Sequence, residues 1–131
     1  MSKAMAEFVL DASAVLADLH GEPGGEIVRP VIQTSAISAV NLAEIITNLI
    51  DHGVPVEQAA FVTDQLRCEV LDADRQRASA VGALHARTRR TGVSLGDRFC
   101  LALAHELGVP ALTADRRWKD LDLGIQVQLI R

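Results

Sequence analysis

Four carboxylates carry the chemical potential of this sequence: Asp11, Glu44, Asp97 and Asp115. Asp11 directly follows the short apolar run from Ala6 to Leu10, and Asp115 lies just past the run from Val109 to Thr113. Asp97 opens the stretch Ser94-Leu-Gly-Asp97-Arg-Phe-Cys-Leu-Ala-Leu-Ala104, and Glu44 falls in the first turns of an amphipathic segment that begins at Ser38. In open α/β sheets, sites form at the carboxyl ends of strands. Four carboxylates converging on one such edge repel one another, and a hard divalent cation bound by oxygen ligands resolves the repulsion. Mg²⁺ or Mn²⁺ fits an all-carboxylate set, whereas Zn²⁺ more often recruits His or Cys. Each acid also has a purely structural explanation. Asp11 and Asp115 are good N-caps for the segments that follow them. Ser94-x-x-Asp97 resembles a capping box, although Glu or Gln is more usual at its last position. Glu44 falls opposite the face formed by Leu42, Ile45, Ile46 and Leu49, which by periodicity directs it to solvent. Asp97 shares a helical side with Cys100, Leu101 and Ala104, where an unpaired charge is expensive.

The elements that must hold these acids alternate. Ala6–Leu10 reads as a first strand, and Asp11-Ala-Ser13 opens a helix that runs to about His20. Gly21-Glu-Pro-Gly-Gly25 is a break, followed by a short helix to about Ile32 and a second strand over Thr34–Ile37. Ser38 then caps an amphipathic helix to about His52, Gly53-Val-Pro55 ends it, and Val56 to about Leu66 forms the next helix. Cys68–Leu71 reads as a third strand. A long helix from about Asp74 to Arg90 follows, with Ala78, Val81 and Leu84 inward, and Thr91-Gly92 ends it. The helix that carries Asp97 spans about Leu95–Leu107 and stops at Gly108, a C-terminal signal. Val109–Thr113 is the fourth strand and Ile125–Ile130 the fifth. Strands alternating with helices predict a parallel sheet covered on both faces.

Composition narrows the class. A chain of 131 residues is the size of one domain with one core, so residues 1–131 read as a single domain. Nearly half the residues are apolar, 49%, and low-complexity tracts are absent, which argues against disorder. The net charge of −4 argues against a large basic footprint for nucleic acid but leaves room for a small basic surface around an acidic site. All the basic residues except Lys3 and Lys119 are arginine, which suits bidentate phosphate contacts. Cys68 and Cys100 lack CxxC spacing and read as buried, reduced thiols, with a disulfide between them as the less favoured alternative. No basic leader with a long apolar run, and no membrane-spanning stretch, is present in the sequence, so a soluble cytoplasmic protein with no membrane association is expected.

Four segments carry a family resemblance: Phe8-Val-Leu-Asp11-Ala-Ser13-Ala-Val-Leu-Ala17, Asn41-Leu-Ala-Glu44-Ile, the stretch from Ser94 to Ala104, and Leu112-Thr-Ala-Asp115-Arg-Arg-Trp118. In this order and spacing they resemble the PIN-domain family, and within it the VapC-type toxins of type II toxin–antitoxin systems. The resemblance covers essentially the whole chain. It implies a three-layer α/β/α fold with a short parallel sheet of four to five strands. It places the family's acidic tetrad on Asp11, Glu44, Asp97 and Asp115, with Asp11, Asp97 and Asp115 as the main metal ligands. Glu44 then serves as a ligand or as the group that positions and deprotonates a water. Ser13 and Thr113 match hydroxyl positions that support the carboxylates, and Trp118 stands where an aromatic packs behind the last acid. The implied activity is that of a Mg²⁺-dependent ribonuclease, with Mn²⁺ as a substitute, that cuts single-stranded or loop RNA to leave a 5′-phosphate and a 3′-hydroxyl. The implied partners are a cognate antitoxin, seated in a groove formed by the early helices, and a second copy of the chain in a homodimer.

Arg98, Arg116 and Arg117 flank two of the acids; they are placed to hold RNA phosphates, or equally to face solvent or pair with the carboxylates. Arg87, Arg89 and Arg90 cluster where a helix C-terminus favours cations. The four histidines show no metal-ligand spacing, and no phosphate-cradling glycine motif occurs. Two other readings stand beside the nuclease. One is a catalytically silent PIN-like interaction module. The other is a receiver-like phosphoacceptor, disfavoured because Ala12, not a second acid, follows Asp11 and Lys119 lies outside the predicted strands.

Overall fold

The computed structural model describes residues 5–131; Met1 to Ala4, among them Lys3, lie outside the described residues. Its elements run β1 (Val9–Leu10), α1 (Ala12–Leu19), α2 (Gly25–Val28), a 3₁₀ turn (Arg29–Thr34), β2 (Ala36–Ser38), α3 (Ala39–Asp51), α4 (Val56–Leu66), β3 (Glu69–Leu71), α5 (Arg75–Thr88), α6 (Leu95–Leu107), β4 (Ala111–Thr113), a second 3₁₀ turn (Arg116–Asp120) and β5 (Val127–Leu129). The five strands form one parallel sheet in the order β3-β2-β1-β4-β5. That order excludes the receiver-like alternative, whose sheet runs 2-1-3-4-5.

β1 is the central strand, and its two residues divide the core between two layers. Leu10 faces Ala14 and Val15 of α1, Ile45 and Leu49 of α3, and Ile37 and Leu112 of the flanking strands. Val9 faces Cys100, Leu101 and Ala104 of α6, with Ala111 and Trp118. Successive strand residues point to opposite faces, so a strand buried on both sides reads as the unbroken apolar run seen in the sequence. The result is an α/β/α sandwich.

The chain signals that end helices act where expected. The Ser38 hydroxyl accepts from the Val40 N–H (3.1 Å) and starts α3. Gly108 closes α6 in the left-handed region at φ 68, a conformation that costs glycine little. The strands are shorter than their apolar runs, because regular pairing covers only part of each: Val9–Leu10 rather than Ala6–Leu10, Ala111–Thr113 rather than Val109–Thr113, and Val127–Leu129 rather than Ile125–Ile130. The short helix before β2 is split into α2 and a 3₁₀ turn, with Pro30 near the junction. On α5, Val81 and Thr88 are buried and Leu84 is partly buried, whereas Ala78, read as inward, is exposed. The α5 helix packs chiefly on α6, so only a narrow stripe of it is covered. Both cysteines are free, Cys100 buried and Cys68 only half-buried. Among the described residues, no helix is long and apolar enough to cross a membrane.

Candidate functional site

The strand order reverses beside β1: the chain moves outward from β1 through β2 to β3, then returns to pair β4 with β1 on the other side. Carboxyl ends of strands at such a switch point are where open α/β sheets bind ligands. Asp11 follows β1 there, and Asp115 lies two residues beyond β4.

Asp11 is buried, at 4% exposure. It caps α1, accepting from the Ala14 N–H (2.9 Å). The Thr113 hydroxyl donates to its Oδ2 (2.6 Å), and the Ser13 hydroxyl donates to Oδ1 (2.7 Å). Those hydroxyls are themselves oriented by main chain: the Asp115 N–H donates to Thr113 Oγ1 and the Ala114 N–H to Ser13 Oγ, each at 3.0 Å. The segment after β4 thus fixes the acid after β1 through two hydroxyl relays. Burial nevertheless pushes the Asp11 pKa from 3.8 up to about 6, against the lowering effect of these donors, and the charge of Asp97 adds to the rise.

Asp97 sits in the first turn of α6, where helix N-termini favour an ionised carboxylate. It completes a capping box: its Oδ2 accepts from the Ser94 N–H (2.9 Å), and its own N–H donates to Ser94 Oγ (3.1 Å). Asp115 caps the second 3₁₀ turn and is gripped by Arg117, whose Nη2 donates to Oδ2 (2.7 Å) and whose Nε donates to Oδ1 (3.0 Å). That guanidinium, foremost through its hydrogen bonds, holds the Asp115 carboxyl below its ordinary pKa.

Glu44 is exposed, as its wheel position predicts, yet it does not leave the site. Its carboxylate lies where a side chain on Gly96 would begin: a Cβ built there would stand 2.6 Å from Glu44 Oε1. Asn41, one turn earlier on α3, joins the two helices. Its Nδ2 donates to Glu44 Oε1 (2.7 Å) and to the Gly96 carbonyl oxygen (3.0 Å). Asn41 and Gly96 are the site residues that the sequence reading passed over. The available signals were a glycine in the first turn of a helix, which marks a close approach, and an amide one turn before the acid.

Asp11, Asp97 and Glu44 share one electrostatic neighbour. All three charges bear on the buried Cys100 thiol, whose pKa is raised by burial first and then by Asp11, Asp97 and Glu44 in turn. Arg117, on Asp115, also feels Asp97. In the conformation described, each carboxylate keeps its own donors, and among the described residues no three His, Cys, Asp or Glu side chains come together closely enough to hold a metal ion. The donor set itself suits a hard divalent cation, being entirely carboxylate oxygen with hydroxyls behind it. The buried carboxyl of Asp11, raised in pKa next to Asp97, is the group that a cation would relieve.

Of the three flanking arginines, Arg117 is at the site and Arg116 donates to the carbonyl oxygen of Arg131 (2.9 Å). Arg98 turns away: its Nη1 donates to the Val81 carbonyl oxygen of α5 (3.0 Å), and its Nε is buried without a partner. Trp118 is buried at 1% exposure in the core layer beneath α6.

The family described as PIN domain matches residues 8–123. Among curated proteins, none matches this chain. Among solved structures, a chain of DNA-bound VapBC from Salmonella typhimurium is 24% identical, with a TM-score of 0.74 over 97% of this chain and 100% of the other. A chain from a toxin–antitoxin complex of Klebsiella pneumoniae is 16% identical, with a TM-score of 0.70 over 95% of this chain and 98% of the other. A chain of VapBC-5 from Mycobacterium tuberculosis, of the VapBC family of toxin–antitoxin systems, is 23% identical, with a TM-score of 0.61 over 95% and 97%. At these identities the likeness concerns the fold.

Proposed function

The chain belongs to the PIN-domain family, and we propose that it is a VapC-type toxin: a divalent-cation-dependent endoribonuclease of one domain, restrained by a cognate antitoxin and active as a homodimer. The observation that carries the reading is the placement of Asp11, a buried carboxylate at the switch point of the sheet with Asp97 close enough to raise its pKa. The similar folds, which are chains of VapBC and toxin–antitoxin complexes, support the assignment of an antitoxin partner.

In this reading Asp11, Asp97 and Asp115 hold Mg²⁺ or Mn²⁺, directly or through water. A bound cation of this kind lowers the pKa of a water, orients it and neutralises charge that develops on a phosphate. Ser13 and Thr113 hold the Asp11 carboxylate in one orientation. Glu44, held beside Asp97, either completes the ligand set or accepts a proton from the attacking water. With Arg98 tied to α5, contact with the scissile region's phosphates falls to Arg117, once it leaves Asp115, and to Arg116. Single-stranded or loop RNA fits best, since its backbone reaches a shallow edge and its bases are open to reading. The products are a 5′-phosphate and a 3′-hydroxyl.

Purified protein is expected to cleave single-stranded RNA with Mg²⁺ or Mn²⁺ and to stop in EDTA. Asp97→Asn is expected to abolish cleavage at little cost in Tm, because an asparagine oxygen still accepts from the Ser94 N–H. Cleavage that persists in EDTA would overturn the proposal. The individually partnered carboxylates favour one second reading, a catalytically silent PIN module. Calorimetry with Mn²⁺ separates the two, since a silent module gives no binding heat.

A further inference from the structure

Asn41 is buried at 1% exposure in the middle of a contact between α3 and α6. Its two amide hydrogens are both committed, to Glu44 Oε1 (2.7 Å) and to the Gly96 carbonyl oxygen (3.0 Å). This fixes the orientation of the head group, since a flipped amide would set oxygen against two acceptors. Its Oδ1 is then left buried with no hydrogen-bond partner. A buried unpaired acceptor opposes folding, so stability alone does not explain an asparagine here.

What the arrangement does is hold Glu44. By helical periodicity Glu44 sits on the solvent side of α3, and its side chain is exposed. A glutamate in that position ordinarily samples many rotamers. Here two features confine it: the Asn41 amide from its own helix, and a flat seat on α6 at Gly96. The seat exists because residue 96 has no side chain, as a Cβ there would stand 2.6 Å from the Glu44 carboxyl carbon. Residue 96 also directly precedes Asp97, so the same seat brings Glu44 against the start of α6 where Asp97 is displayed.

We propose that Asn41 is a positioning residue, with Gly96 as its counterpart, which together convert Glu44 from a solvent-facing side chain into a fixed member of the acid cluster. This inference rests on the reading that the cluster binds a divalent cation. It attributes to Asn41 and Gly96 an effect on cation affinity that passes through Glu44 alone.

The test is a double-mutant cycle read by calorimetry with Mn²⁺, using Asn41→Leu, Gly96→Ala and Glu44→Ala, singly and in pairs, with thermal unfolding of each protein alongside. Orienting residues behind metal ligands typically change affinity by about 10- to 100-fold. Asn41→Leu and Gly96→Ala are each expected to weaken Mn²⁺ binding by about tenfold. In the Glu44→Ala background neither is expected to weaken it further. Gly96→Ala guards against misfolding as the cause, because alanine is the better helix former and favours α6 while its Cβ evicts the carboxylate. Equal losses with and without Glu44 would overturn the inference, as would folded variants that bind Mn²⁺ like the wild type while Glu44→Ala does not. Failure of the wild type to bind Mn²⁺ would instead overturn the reading of the site as a cation centre, and this inference with it.

Discussion

Asp11 is satisfied in its hydrogen bonds and still carries a raised pKa, because three neutral donors do not replace the water it has lost. The rise from 3.8 to about 6 corresponds to roughly 3 kcal/mol of preference for the neutral carboxyl. The folded protein therefore holds this proton more tightly than the unfolded chain does. Without a cation, stability is expected to fall as pH rises from about 4 to about 6 and to be flat above. Asp11→Asn, neutral at every pH, is expected to abolish cleavage and yet raise stability at pH 7 in EDTA by about 1–3 kcal/mol, measured by urea unfolding. A destabilised Asp11→Asn would show that the hydroxyl relays need the carboxylate more than burial opposes it. Arg117 is the other residue that responds to an empty site. Its ion pair with Asp115 is exposed on the arginine side, 62%, and pairs of that kind contribute little. Arg117→Gln is accordingly expected to tighten Mn²⁺ binding by only about threefold in calorimetry. A gain of several hundredfold would mean that the guanidinium is a real barrier to the cation.

Helix α6 supplies the site with Asp97 and Gly96 at one end and the core with Cys100, Leu101, Leu103 and Ala104 along its length. Its start rests on the reciprocal bonds between Ser94 and Asp97. Ser94→Ala removes the acceptor for the Asp97 N–H but leaves the Ser94 N–H donating to the carboxylate. The expected result is a loss of about 1 kcal/mol in unfolding free energy with Mn²⁺ affinity almost unchanged. A large loss of affinity would make the hydroxyl part of the site. This helix was fully legible in the sequence, both ends included, because a capping box and a glycine stop are local codes. The strands were legible as elements but not in extent, since pairing partners decide where β1 ends its approach and becomes regular. Ala78 was misplaced because helical periodicity marks a side, not which neighbour covers it. Glu44 shows the same limit at the site: the wheel correctly exposes it, but the Asn41 amide and the facing backbone at Gly96, from a helix some fifty residues away, hold it against the first turn of α6.

Across the molecule, the acids sit on the edge of a chain whose net charge is −4, and the cations near them are few. With Arg98 engaged by α5, Arg116 and Arg117 are the flanking arginines left to meet RNA in the proposed reading. Single-stranded binding that displaces counterions from two phosphates gives a slope of about −1.4 in a plot of log affinity against log salt. Filter binding with Asp97→Asn and a short RNA is expected to give a slope near that value. A slope several times steeper would point to a basic surface elsewhere, such as Arg87, Arg89 and Arg90. The placement of β1 has a consequence for biosynthesis. It is synthesised before its neighbour β4 and before the hydroxyl of Thr113, which lies 102 residues beyond Asp11. Until they arrive, the central strand lacks one edge partner and Asp11 lacks half of its support. A nascent chain that has not yet reached β4 would lack this support, as would every product truncated before β4. For a protein proposed to destroy RNA, the order of the chain would then spare its own message until β4 and Thr113 are in place.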